Sequence, residues 1–595
     1  MKFTKIIFIS TCLLAIACST KTDKTSENQV FNFKHWTDSC FEADLMEDPM
    51  FMTRLGRKDK YDQLNDISDS MNLKRFDKLE ARLAEINKID TTGFFDDIKL
   101  SYQLFKEDLA FKIAHKHFRH HNYPVNQMHG AQSELPSFMI NNHKIDSLSD
   151  AKAYITRING IELYFKQLLE KLDIRAEKGI AVPLFSYDYM INDCENIMGN
   201  KNIEDHILYK DFNSKLSSID LTDSEKTALL EELKSSIETY LVPSYQKLKD
   251  YLIQQQKVAS TDDGVWKFPQ GKEFYDYRLK LITTTDWSGK KIHETGLAEV
   301  ARIHSEMKAI MKQVGFEGNL KEFFQFMKED DQFYYENGAE GKERMIVGYT
   351  AIIDSMRAQL DDLFLTKPKA PLVVKAVEAY REQSAGKAFY DNGSIDGSRP
   401  GIFYANLYQM KDMPTYEMEA LAYHEGLPGH HMQISIAQEM TGVPEFRKHL
   451  DYTAYVEGWG LYCELLPKEI GFYQDPYSDF GRLAMELWRA CRLVVDVGIH
   501  SMKWTREDAI QYLQDNTPNS YNSCKKAIER YIVMPGQATA YKVGMIKILE
   551  IREKAKQAMG DKFDIKKFHD IFLLSGPVPL NVFEQSIDNW IKENS

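Results

Sequence analysis

Pro428 and Gly429 stand between two histidines in the run Tyr423-His424-Glu425-Gly426-Leu427-Pro428-Gly429-His430-His431, and they forbid the regular helix that this run would otherwise form. An internal proline removes a helix hydrogen bond and clashes with the preceding turn, while glycine accepts the backbone angles of a kink. The break matters for chemistry. On an unbroken helix six residues turn roughly 240° and rise about 9 Å, so His424 and His430 would face apart. His431 would return to the same face roughly 10 Å away, too far to share an ion through bonds of about 2 Å. If two of these imidazoles hold one ion, the chain bends between them.

Three imidazoles and a carboxylate in so short a run are the raw material of a zinc hydrolase. Such sites use two or three neutral imidazoles or carboxylates as ligands, an open position for water, and an unligated carboxylate to take that water's proton. His424, His430 and the downstream Glu457 are the candidate Zn2+ ligands, and Glu425 is the candidate general base. The spacing departs from His-Glu-x-x-His, whose imidazoles lie one turn apart. Glutamates are mostly solvated or paired on helix surfaces, so Glu457 is singled out only by the histidines upstream. Glu464, about two turns further along, is the second choice. His431 is left as an alternative to His430, or as a packing residue.

His-Glu-x-x-Pro-Gly-His followed by Gln433, the segment Glu457-Gly458-Trp459, and Gln537-Ala538-Thr539-Ala540-Tyr541 resemble the bacterial proteins grouped as the domain of unknown function 885 (DUF885). Those are regarded as relatives of gluzincin-type zinc metallopeptidases. The likeness extends to Asp48-Pro49 and Gly56, to Ser398-Arg399-Pro400-Gly401, to Arg489 through His500, and to Gly576-Pro577-Val578-Pro579-Leu580. In the family pattern the position after the second histidine varies, which favours His430 over His431 as ligand. The resemblance also implies a third, carboxylate ligand from a separate helix. By the same analogy Tyr541 or His500 holds the oxyanion, or else both belong to an interhelical network with Arg492, Asp496 and Gln537. Asp496 is a further candidate to orient a ligand imidazole.

At the N-terminus, Met1-Lys2-Phe3-Thr4-Lys5 is basic, Ile6 to Ile16 is largely apolar, and Ala15-Ile16-Ala17-Cys18 ends like a lipoprotein cleavage site. This reads as a secretory signal over residues 1–17, too short to span a bilayer, with Cys18 as the lipidated residue. Residues 18–28 are too polar to fold and are expected to be a tether. The expected location is the cell envelope, on the periplasmic or outer-surface side of a bacterial membrane. A net charge of -13 excludes nucleic acid as a natural partner, and leaves the lipid as the sole link to the membrane. Cys40, Cys194, Cys463, Cys491 and Cys524 show no paired metal-ribbon spacing and are expected to pack as free thiols.

Helical periodicity recurs at 76–86, 149–172, 293–314, 341–365, 479–502 and 539–559. Thr222-Asp223-Ser224-Glu225 is a capping box opening a run expected to end at Pro243. The chain is expected to be mainly α, a bilobal helical metallopeptidase-like fold with a small β-hairpin beside the active-site helix. An N-terminal helical lobe over 29–258 and a catalytic lobe over 259–595 would meet at Ala259-Ser260-Thr261-Asp262-Asp263-Gly264. The hairpin would pair 388–390 with 402–407 around a glycine-rich loop. Its strand Phe403 to Leu407 is the candidate edge on which an extended peptide substrate could add itself, with Phe403 and Asn406 in contact. Arg399 would pair with a substrate carboxylate or fix the loop. The expected activity is zinc-dependent peptide hydrolysis. The competing expectation is a non-catalytic surface lipoprotein with a structural metal or none.

Overall fold

The computed structural model describes residues 16–199, 202–378, 382, 385–394 and 399–594. Helices dominate it, joined by one small sheet. The run at 149–172 lies in helix Leu148–Glu177, which opens with the Ser147 side chain accepting the Asp150 amide. The runs at 293–314 and 479–502 lie in helices Gly289–Gln313 and Pro476–Met502. Residues 18–28, expected as a tether, belong to helix Ile16–Leu45, and Cys18 sits in its first turn. Residues 1–15 of the expected signal lie outside the described residues. No described helix is long and apolar enough to cross a membrane.

Pro243 does not end its helix. The Thr222–Glu225 capping box opens helix Asp223–Ser236 as expected, but the chain then widens into a π turn at Ile237–Leu241 and continues as Val242–Gln256. A π turn shifts the bonding from i+4 to i+5, so the proline ring passes without meeting the carbonyl four residues back. Proline then occupies a first-turn position, where an absent amide matters little.

Each of the two large apolar cores draws on residues from both sides of 258/259. One gathers Tyr154, Phe165 and Leu248 with Leu493, Val497 and Ile528, and the other gathers Phe33 and Phe105 with Trp459, Ile548 and Phe572. Helix Pro476–Met502 contributes to this, because it is buried along most of its length and takes cover from both early and late helices. The Phe105 and Phe446 rings likewise meet at 4.9 Å, edge to face, across most of the sequence. Cys40, Cys194, Cys463, Cys491 and Cys524 are buried free thiols.

The sheet has three strands in the order β1-β3-β2, with β1 at Leu372–Ala376, β2 at Ala388–Asp391 and β3 at Gly401–Ala405. The expected hairpin is the antiparallel β2–β3 pair. The parallel partner β1 was not anticipated, and it makes β3 the central strand. Phe403 is therefore not on an open edge. It is fully buried, its ring 4.9 Å from that of Tyr349 on helix Ala339–Arg357.

A buried ion cluster joins helices Gly289–Gln313, Pro476–Met502 and Ala540–Met559. Glu486 takes Lys542 Nζ at 2.5 Å, Arg482 at 3.3 Å, and Arg302, while Lys542 also reaches Glu299 at 2.8 Å. Burial opposes its ionisation, yet Lys542, Arg302 and Arg482 hold the Glu486 carboxyl at about 2. A folded-state value below the ordinary 4.5 means stability present above pH 4.5 and lost as pH falls toward 2. Glu486→Gln, which takes from Lys542, Arg302 and Arg482 the carboxylate they share, should lower unfolding stability by about 3 kcal/mol at pH 7 in urea titrations. The gap to the unmodified protein should narrow at pH 3.

Candidate metal centre

The first motif helix, Met418–Glu425, stops at Glu425, and the second, His430–Gln438, starts at His430, so the break falls at Gly426 to Gly429. Gly429 is required there by space. A Cβ on it would stand 2.0 Å from the His424 carbonyl oxygen and 2.3 Å from that of Tyr423. The bend is held from a third helix, Thr453–Glu469. Trp459 Nε1 donates to the Pro428 carbonyl at 2.9 Å, and Gln433 Nε2 donates to the Tyr455 carbonyl at 3.2 Å.

The bend brings His424 and His430 together, their ring centroids 4.7 Å apart and their planes nearly perpendicular. Glu457 Oε2 lies 3.5 Å from His424 Nε2 and 3.7 Å from His430 Nε2. One donor atom from each of the three residues lies within 4.8 Å of the other two. Direct charged N–H···O bonds are shorter, about 2.7–2.9 Å. The observed separations instead suit the edges, about 3.4 Å, of a tetrahedron around an ion with bonds of about 2.1 Å. The donor set of two imidazoles and a carboxylate also fits zinc. Burial works against a charged His424, but Glu457 and Glu464 raise its pKa to about 10. Burial likewise opposes Glu457 ionisation, yet the two imidazoles hold its carboxyl well below the usual range. Three donor atoms so placed could hold a cation.

Helix Thr453–Glu469 presents Glu457, Gly460 and Glu464 on one face, at i, i+3 and i+7. Gly460 makes room for the imidazole, since a Cβ there would stand 2.7–3.0 Å from the His424 ring atoms. Glu464 Oε1 accepts from His424 Nδ1 at 2.8 Å, which aims Nε2 at Glu457. Arg489 Nη2 backs the Glu464 carboxylate at 3.6 Å. Glu464, the second choice for a ligand, thus orients the candidate ligand His424. Asp496 does not do so. It takes the Tyr275 hydroxyl at 2.6 Å and the Gly536 amide at 3.0 Å, and burial raises its carboxyl to about 7.

His430 faces the cluster and His431 faces the sheet. His431 Nδ1 accepts from the Tyr390 hydroxyl at 3.1 Å, and burial lowers its pKa to about 4. Glu425, 9% exposed, has no hydrogen-bond or ion-pair partner among the described residues. His500 does not offer a donor to a substrate. Its Nε2 donates to the Tyr531 carbonyl at 3.0 Å, its Nδ1 accepts from the Val265 amide at 3.2 Å, and burial lowers its pKa to about 4. Tyr541, at the start of helix Ala540–Met559, is buried and carries the Arg492 guanidinium over its ring. That helix touches Thr453–Glu469 backbone to backbone, because a Cβ on Gly458 would lie 2.6 Å from the Gly544 Cα. Asn406 closes a loop, donating to the carbonyls of Glu382, Ala385 and Gly386. Arg399 pairs with Asp391 at 3.6 Å on a half-exposed surface. Phe403, Asn406 and Arg399 are therefore occupied in holding the sheet and its loops.

A family model described as "Bacterial protein of unknown function (DUF885)" matches residues 49–587. The chain is a DUF885 protein. A crystal structure from Colwellia psychrerythraea, titled provisionally as a lipoprotein, is similar with a TM-score of 0.87 and 29% identity, over 96% of this chain and 99% of that one. A second, from Shewanella oneidensis, titled provisionally as a lipoprotein of unknown function, has a TM-score of 0.74 and 17% identity, over 93% and 99% of the two chains. No curated protein matches.

Two substitutions probe the orientation of His424 without removing a ligand. Glu464→Gln should weaken zinc binding about tenfold to a hundredfold in competition titrations with a chromogenic chelator. Gly460→Ala should weaken it by a similar factor with little change in circular dichroism. Zinc affinity unchanged in both would refute the orienting role.

Proposed function

We propose that this DUF885 protein is a zinc-dependent hydrolase, of the gluzincin-like metallopeptidase kind, acting on peptides. The observation that carries this reading is the convergence of His424 Nε2, His430 Nε2 and Glu457 Oε2 at ion-sharing distances beside the unpaired carboxylate of Glu425. A structural metal site would have no use for that carboxylate.

His424, His430 and Glu457 would hold the ion, and Glu464 would keep the His424 ring aimed. Zinc so held polarises a substrate carbonyl and brings the pKa of water toward neutrality. Glu425 takes the proton of the attacking water and passes it to the leaving amine, the two-way task of a general base and acid. Its isolation from other partners keeps it available. The Tyr541 hydroxyl donates to the oxyanion, its ring braced by the Arg492 guanidinium at 4.3 Å. An envelope location, anchored through a lipid on Cys18, is supported by the signal-like N-terminus and by the description of the Colwellia psychrerythraea relative.

Metal analysis and peptide-library mass spectrometry test the assignment together. Glu425→Gln should retain close to the normal zinc content and lose activity by about a hundredfold or more. His424→Ala should lose the zinc and the activity. A chelator should abolish cleavage by the unmodified protein, and added zinc should restore it. Full turnover by Glu425→Gln would refute the base assignment.

A further inference from the structure

Arg492 lies one turn beyond Arg489 on helix Pro476–Met502 and is 7% exposed. Its guanidinium sits 4.3 Å from the Tyr541 ring centroid and 5.8 Å from that of Tyr531. The Tyr541 and Tyr531 side chains partner the group in part, but Nε and Nη1 are buried without any hydrogen-bond partner, and no carboxylate forms an ion pair with it among the described residues. Three other deeply buried arginines are satisfied. Arg157 donates to Gln63, His143 and Thr53, Arg482 pairs with Asp479 and Glu486, and Arg447 reaches Ser101 and Ser575. A buried cation with free donors is unfavourable unless an anion arrives to meet it.

The place where that anion would arrive is beside the metal cluster. Glu457 contributes to the electrostatic environment of Arg492, and Tyr541, whose ring Arg492 covers, lies one turn before Gly544, which meets Gly458, the residue after Glu457. The planar guanidinium fork matches a carboxylate in two-point contact. Glu457 cannot serve as that partner while it serves an ion.

We propose that Arg492 receives a carboxylate of the substrate, and that the site therefore acts near the free C-terminus of peptides. Closeness to Glu457 and Tyr541 sets the recognised anion within a residue or two of the bond that would be cut, which the terminal carboxylate of a short peptide satisfies. The inference rests on the hydrolase reading for its chemistry, but the binding role can be read without turnover.

The test uses the full chain, freed of metal by EDTA, and three probes: Gly-Gly-Phe as the free acid, the same peptide as its C-terminal amide, and Gly-Gly-Glu amide. Calorimetry should show the free acid binding about tenfold to a hundredfold more tightly than its amide. Arg492→Met should abolish that preference, and Arg492→Lys should keep part of it. The melting temperature of Arg492→Met should stay the same or rise, since an unpaired buried charge is removed, whereas a structural arginine would leave a less stable protein. Gly-Gly-Glu amide binding as tightly as the free acid would assign the anion to a substrate side chain, overturning the C-terminal specificity. Equal affinity for acid and amide in the unmodified protein, or a preference that survives Arg492→Met, would overturn the proposal. Should Arg492→Met fail to fold, an undiminished preference in Arg492→Lys together with a lowered melting temperature would overturn it as well. Zinc-loaded protein that shows the preference but cleaves none of the probes or library peptides would refute the hydrolase reading alone. Cleavage of acid and amide at equal rates, both lost in Arg492→Met, would refute the Arg492 role alone.

Discussion

The packing of helix Thr453–Glu469 against the broken histidine segment is the interaction on which the candidate centre depends, because neither half can hold the geometry by itself. The bend exposes backbone carbonyls that a regular helix would satisfy, and Trp459 supplies a donor to one of them. The same helix face carries Glu457 toward both imidazoles, leaves a gap at Gly460 for one ring, and fixes that ring through Glu464. One short stretch of helix thus shapes the bend, supplies a carboxylate and chooses a rotamer. Gly458, next to Glu457, adds a fourth task by letting helix Ala540–Met559, which carries Tyr541, come into backbone contact.

Around this contact the protein assembles an unusual amount of buried charge and satisfies it unevenly. Glu486, Lys542, Arg302 and Arg482 form a fully paired network that locks the helices carrying Arg492 and Tyr541 to each other. Closer to the cluster, Glu464 Oε2, Arg489 Nε, Arg492 Nε and His430 Nδ1 lack partners. Buried polar groups in folded proteins are mostly paired, so these free atoms are where a bound ligand or water would find donors and acceptors. The contrast between the two neighbourhoods separates scaffold from site more clearly than burial does.

The sheet plays a supporting part. Its central strand β3 is buried, and Tyr390 on β2 reaches back to His431. That hydrogen bond fixes the second motif helix from the side opposite to Glu457. His430 and His431, adjacent in sequence, consequently have opposite duties, one facing the cluster and the other gripping the sheet.

The sequence alone determined the helical class, the need for a bend at Pro428 and Gly429, the capping box at Thr222, the hairpin strands, and the candidate trio of His424, His430 and Glu457. Each of these follows from local chemistry: periodicity, a proline's missing amide, or a cluster of ligand side chains too dense to be incidental. The tertiary structure decided what depends on neighbours remote in sequence. Strand β1 removed the edge expected at Phe403, the π turn carried a helix past Pro243, and late helices filled cores begun by early ones. His500 and Asp496 turned out to bond backbone and tyrosine partners, while Glu464 became the brace of His424 and Arg492 kept two buried nitrogens without a partner. Which atoms a buried side chain touches is set by packing between distant segments, and no spacing along the chain encodes it.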